Sequence, residues 1–108
     1  MQTYDLNDYL RGWFIGNFEP SVLNTDTFEV ALMRFSKHEY VEPHIHKIAT
    51  EYNVLVSGSM TIMGKLLAPN DIFVIKPEEI ADPVYHEDSV VLVVKVPSVK
   101  NDKYKVNV

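Results

Sequence analysis

The chain has 108 residues, enough for one hydrophobic core and too few for two. Its 10 Lys and Arg are scattered and outnumbered by 15 Asp and Glu, which argues against a nucleic-acid partner, since phosphate binding draws on massed positive charge. There is no Cys, so disulfides and thiolate sites are excluded and any metal must be held by nitrogen and oxygen.

The first residues, Met1-Gln2-Thr3-Tyr4-Asp5, lack the basic and apolar regions of a secretory leader, and no later segment approaches the ~20 apolar residues that cross a bilayer. The expectation is a cytoplasmic protein with no membrane partner. Leu6, Tyr9, Leu10 and Trp13 follow helical spacing, with Asp5 placed to cap and Gly12 to stop, which predicts a short helix over 5–11. Gly16, Asn17, Pro20 and Ser21 read as a loop, so 1–26 forms an N-terminal extension. Its aromatic residues Trp13, Phe14 and Phe18 suit core packing or a dimer contact.

From Phe28 the period becomes two. Phe28, Val30 and Leu32 alternate with Glu29, Ala31 and Met33, predicting a strand over 27–35 with both faces partly apolar. Further strands are predicted at 51–56, 59–63, 71–75, 90–96 and 104–108, separated at Gly58, Gly64, Pro69-Asn70, Pro77 and Pro97-Ser98. Short strands at this spacing define an all-β sandwich or barrel in one domain over 1–108. The run Val90-Val91-Leu92-Val93-Val94 has no polar alternation, which predicts burial on both faces. No helices are available for parallel crossovers.

His44 and His46 stand two apart. On an extended strand they share a face, with backbones roughly 6.5 to 7 Å apart, and both rings reach one ion at about 2.0 to 2.1 Å. Glu51 follows after five positions, an odd offset that sends it to the opposite face unless the chain turns. Lys47-Ile48-Ala49-Thr50 contains none of the usual turn residues. Asn53 shares the face of Glu51 and would bring an amide beside the ion. His38, between Lys37 and Glu39, reads as solvated. No Ser-His-Asp set, paired catalytic carboxylates or phosphate-cradling Gly loop is evident.

The run Pro43-His44-Ile45-His46, four residues, Glu51, six residues, Gly58 resembles the first motif of the cupin superfamily, H-x-H-x(3,4)-E-x(6)-G. Residues 67–77, Leu-Ala-Pro-Asn-Asp-Ile-Phe-Val-Ile-Lys-Pro, are similar to the second motif. Asn70 stands there in place of the usual Gly, and Asn tolerates the same left-handed backbone. Together the motifs span about 28–97.

This resemblance implies a double-stranded β-helix, or jelly-roll barrel, preceded by a short N-terminal helix or turn. It implies one divalent ion, with Mn, Fe, Ni, Co and Zn all acceptable, held by His44, His46 and Glu51, a small-molecule ligand inside the barrel, and a homodimer. The family's usual fourth ligand, a His after the second motif, is missing. Asp82 lies nearest by alignment and is the first choice; His86, four residues on, and water are the alternatives. The functional expectation is a metal-dependent enzyme acting on a sugar, sugar acid or other carboxylate by isomerase, epimerase, lyase or dioxygenase chemistry, with Glu51 and Asn53 as its catalytic residues. The alternative is a non-catalytic binding cupin with a structural metal or none.

Overall fold

Asp5 caps as expected, its carboxylate accepting from the Asn7 amide at 2.9 Å. In the computed structural model, which describes residues 1–106, the chain beyond this cap forms two single-turn 3-10 helices, Leu6–Asp8 and Leu10–Gly12, in place of the helix expected over 5–11. Arg11 (φ 53°) and Gly12 (φ 83°) both take the left-handed conformation, which ends the helical path. Trp13 is thereby delivered onto a strand, where it packs against the core.

Eleven strands follow among the described residues: β1 Trp13–Gly16, β2 Leu23–Asn24, β3 Glu29–Phe35, β4 His44–Ile45, β5 Thr50–Ser57, β6 Met60–Ile62, β7 Lys65–Leu67, β8 Ile72–Ile75, β9 Val84–Tyr85, β10 Ser89–Val96 and β11 Tyr104–Lys105. The expected strand over 104–108 is thus the short β11, and residues 107 and 108 lie outside the described part. No helix of the described residues is long and apolar enough to cross a membrane.

The ladders form a six-stranded sheet in the order β2-β1-β3-β10-β5-β8, a three-stranded sheet β7-β6-β9 and a two-stranded sheet β11-β4. An isolated bridge joins His44 to Ala81. Pairing is antiparallel except between the short strands β1 and β2. The architecture is all-β as expected, but among the described residues the pairings do not join into one closed barrel. Core residues from the large sheet (Ala31, Phe35, Leu55, Ile75, Val91, Val93) and from the smaller sheets with their linking bridge (Met60, Ile62, Leu67, Ala81, Tyr85) belong to one cluster, so the sheets share a single interior.

Strand pleat explains the make-up of that interior. Alternate residues of β3, β10, β5 and β8 point inward, and the register stacks them in rows: Glu29, Lys95, Glu51 and Ile75; then Ala31, Val93, Asn53 and Phe73; then Met33, Val91 and Leu55. The inner face therefore grades from charged to apolar along the strands. On β10 the expectation of two buried faces is corrected. Ser89, Val91 and Val93 are buried, while Val90, Leu92 and Val94 on the outer face are only half-covered.

Two left-handed residues shape the motif turns. Gly58 has φ +97°, and a Cβ there would run into the Ser89 hydroxyl and the Asp88 carbonyl, so the motif glycine is required by close packing as well as by backbone conformation. Asn70 adopts φ 77°, as its replacement of Gly in the second motif anticipates. Its amide donates to the Leu55 carbonyl at 2.7 Å, tying that turn to β5.

Candidate metal centre

The charged end of the inner face carries the site. Glu51 enters it from β5, and His44 and His46 enter from β4 and the residue beyond it. Their candidate ligand atoms all lie within 4.8 Å of one another. His46 Nδ1 is 3.2 Å from a Glu51 carboxylate oxygen, and the two imidazoles meet edge-on with centroids 5.2 Å apart. His46 is 3% exposed and Glu51 8%.

Both histidines are held from outside the site. Backbone groups of His44 pair with Ala81 in both directions, at 3.1 and 2.8 Å, and β11 lies on the other side with Lys105 opposite His44. His44 Nδ1 donates to the Glu42 carbonyl at 2.9 Å, which fixes the tautomer and leaves Nε2 free to ligate, the usual outer-shell arrangement around a metal-bound imidazole. The His46 carbonyl accepts from the Glu78 amide at 2.8 Å, in the turn that ends the second motif.

The electrostatics suit a cation. Burial lowers the pKa of His46 to about 4 and that of His44 below its ordinary value, so both rings are neutral at physiological pH and keep a lone pair to give. Burial raises the Glu51 pKa, partly offset by the Lys95 charge and the Asn53 amide. His46 Nε2 is buried and has no hydrogen-bond partner. Such an orphan costs about 1–3 kcal/mol, and a positive ion accepting the site's lone pairs is the kind of partner it lacks. Two imidazoles and a carboxylate thus fit a divalent ion of the borderline class.

The structure brings together His44, His46 and Glu51, with Asn53 buried on the same face as Glu51 and its amide donating to the Phe73 carbonyl at 3.4 Å. It does not bring in Asp82, whose carboxylate accepts from the Met63 amide at 2.7 Å. Ala81, which bridges to His44, is the residue buried beside the site, and the neighbouring Asp82 is turned toward Met63 instead. His86 is engaged with the Thr61 hydroxyl at 2.7 Å, and His38 sits exposed in a turn at φ 63°. Among the described residues the cluster therefore has three members.

A cavity of about 640 Å³ opens onto the triad and is also lined by Asn53, Tyr85, Lys95 and Lys103. Sequence reading passed over the last three. Lys95 was legible in principle, as the one charge in the apolar run of β10, in phase with inward-facing Val91 and Val93. Tyr85 stacks on Phe35 at 4.2 Å, and burial followed by the nearby Glu51 charge raises its pKa, which keeps the phenol protonated.

No protein-family model and no curated protein matches the chain. Among solved structures 64 chains match. KdgF from Halomonas sp. is 23% identical, with 71% of this chain and 74% of that one covered at a TM-score of 0.63. The pirin YhhW from Escherichia coli, solved with nickel(II), is 22% identical, covering 82% and 39% at a TM-score of 0.68. A cupin-superfamily protein from Desulfitobacterium hafniense DCB-2 is 15% identical, covering 68% and 71% at a TM-score of 0.58. The chain has the cupin-superfamily fold. It carries a two-histidine, one-glutamate triad, His44, His46 and Glu51, that matches the first cupin motif.

Proposed function

We propose that this protein is a small cupin enzyme that holds one divalent ion on His44, His46 and Glu51 and acts on a small, oxygen-rich, carboxylate-bearing molecule. The observation that carries this reading is the triad, with buried His46 and Glu51, half-buried His44 and the orphaned His46 Nε2, at the wall of an open cavity. When bound, the ion supplies Lewis acidity, polarising a coordinated oxygen and lowering the pKa of a neighbouring C–H or water. The nickel held by the similar pirin supports an ion on this scaffold, and Mn, Fe, Co and Zn suit the same ligands.

The remaining roles fall to the chain's own residues. Asn53 offers an amide to the ligand beside Glu51, and protonated Tyr85 offers a hydroxyl. Of three cations lining the cavity, Arg11 faces Glu39 at 3.9 Å and Lys95 faces Glu29 at 3.8 Å. Lys103 has no ion-pair partner among the described residues, which favours a substrate that brings its own carboxylate. Isomerase, epimerase, lyase and dioxygenase chemistry are all compatible with this fold.

Elemental analysis of protein purified without an affinity tag, followed by reconstitution with each of the five ions and a screen of sugar acids and small carboxylates, tests the reading. His44→Ala and His46→Ala should each abolish metal uptake and turnover. Protein that neither contains nor takes up an ion would sink it. One observation favours a second reading, a non-catalytic binding cupin: Glu29, which shares the sheet row of Glu51, is already committed to Lys95 and to the Ser98 hydroxyl at 2.9 Å. Metal and ligand binding without turnover across the screen would select it.

A further inference from the structure

The ligand set poses a geometric problem, because a straight strand would put His46 and Glu51 on opposite faces and the four residues between them carry no turn chemistry of their own. A carboxylate from the far end of the chain supplies what those residues lack. Asp102 Oδ1 accepts from the Lys47 amide at 2.9 Å, both oxygens accept from Ile48 at 3.2 and 3.1 Å, and Oδ2 accepts from Ala49 at 2.9 Å. Three successive N–H groups turned toward one point make an anion-binding concavity, and here the anion is internal. Asp102 is 6% exposed.

The segment around it is stitched to the site on both sides. Upstream, the Ser98 amide donates to the Asp26 carbonyl at 3.0 Å, and its hydroxyl binds Glu29. Downstream, Tyr104 pairs with Ile45, Lys105 pairs with His44, and the Lys47 ammonium sits 4.3 Å from the centre of the Tyr104 ring. Residues 44, 45 and 47–49 are therefore referenced to the C-terminal segment.

We infer that Asp102 is the positioning residue of the metal centre: by gathering the amides of Lys47, Ile48 and Ala49 it sets the turn that makes His46 and Glu51 converge. The inference rests on the triad being a metal site, but its geometric core, the convergence itself, stands apart from any ion.

The experiment compares wild type, Asp102→Ala, Asp102→Asn and Ser89→Ala, the last removing a buried hydroxyl that bonds to Ser59 and Glu87, away from the ligands. Cobalt(II) and zinc(II) affinities are measured by chelator competition, with the visible spectrum of the cobalt form and the melting temperature of each metal-free protein. Asp102→Ala should weaken both affinities about 10- to 100-fold and alter the cobalt spectrum, as loss of an outer-shell support does. Asp102→Asn, which retains an acceptor, should recover part of the loss. Ser89→Ala should lower the melting temperature and leave affinity and spectrum at wild-type values.

In the metal-free protein, Asp102→Ala should also speed hydrogen exchange at amides 47–49 and remove the nuclear Overhauser contact between the His46 ring and the Glu51 side chain. Wild-type affinity and spectrum in Asp102→Ala, or retention of that contact, would overturn the inference. A wild-type protein that binds neither ion would overturn the metal reading instead, and the two metal-free measurements would then decide the role of Asp102.

Discussion

Asp102 also makes a prediction that is independent of any ion. Burial pushes its carboxyl pKa up, and the amides of Ala49, Lys47 and Ile48 more than offset this, so the folded value lies below the ordinary 3.8. The unfolded chain therefore binds the proton first as pH falls. The contribution to stability is fully present above the ordinary carboxyl range and is lost as pH drops through the folded value. Urea unfolding of wild type and Asp102→Asn should differ by about 1.5–3 kcal/mol at pH 6, the range for hydrogen bonds to charged groups. The gap should narrow toward pH 3; one that stays constant would show that the charge is not what holds the turn. Residues of this kind mark the limit of sequence reading. His44, His46 and Glu51 were legible because their chemistry and spacing are local. Asp102 was not, because its partners lie 53 to 55 positions away and an aspartate in Asn101-Asp102-Lys103 looks like any polar loop residue. Asp82, the first choice for a fourth ligand because it lies nearest by alignment, instead accepts from the Met63 amide.

At the scale of elements, period-two patterning between turn signals located β3, β5, β6 and β8 to within a few residues, because these strands have one face against a shared core, and an unbroken apolar run located β10. β1 was missed, with Trp13 fitted to a helical spacing and Gly16 read as loop, as were two-residue strands such as β4 and β9, which are too short to show any period. The valine run of β10 misled for a different reason: β-branched residues suit a strand whether or not the second face is covered. Burial differences along β5 and its neighbour β8 give a direct test. Leu55 is 0% exposed and Ile72 is 73% exposed. Leu55→Ala should cost about 2–5 kcal/mol, while Ile72→Ser should stay within about 0.5 kcal/mol in the monomer. Equal losses in denaturant melts would contradict this placement of the core.

The molecule as a whole presents an apolar outer sheet face. The register aligns Val74, Tyr52, Val94 and Val30 in one row and Ile72, Val54, Leu92 and Leu32 in the next, with β8 at the free edge. Tyr52, Ile72 and Val74 are exposed there. A contiguous patch of this kind is uncommon on a monomer, and it supports the homodimer expected from the family resemblance. Light scattering at micromolar concentration should give twice the mass of the 12.4 kDa chain, and Ile72→Lys combined with Val54→Lys should halve it. A monomeric wild type would refute the dimer.

The distance between the turn and its carboxylate has a consequence for biosynthesis. The ribosome releases the histidines and the glutamate well before residue 102, so the emerging chain carries every ligand atom before it carries the group that aims them. On the proposed metal reading, loading is expected to follow docking of the C-terminal segment, which favours insertion into the finished fold over capture by the nascent chain.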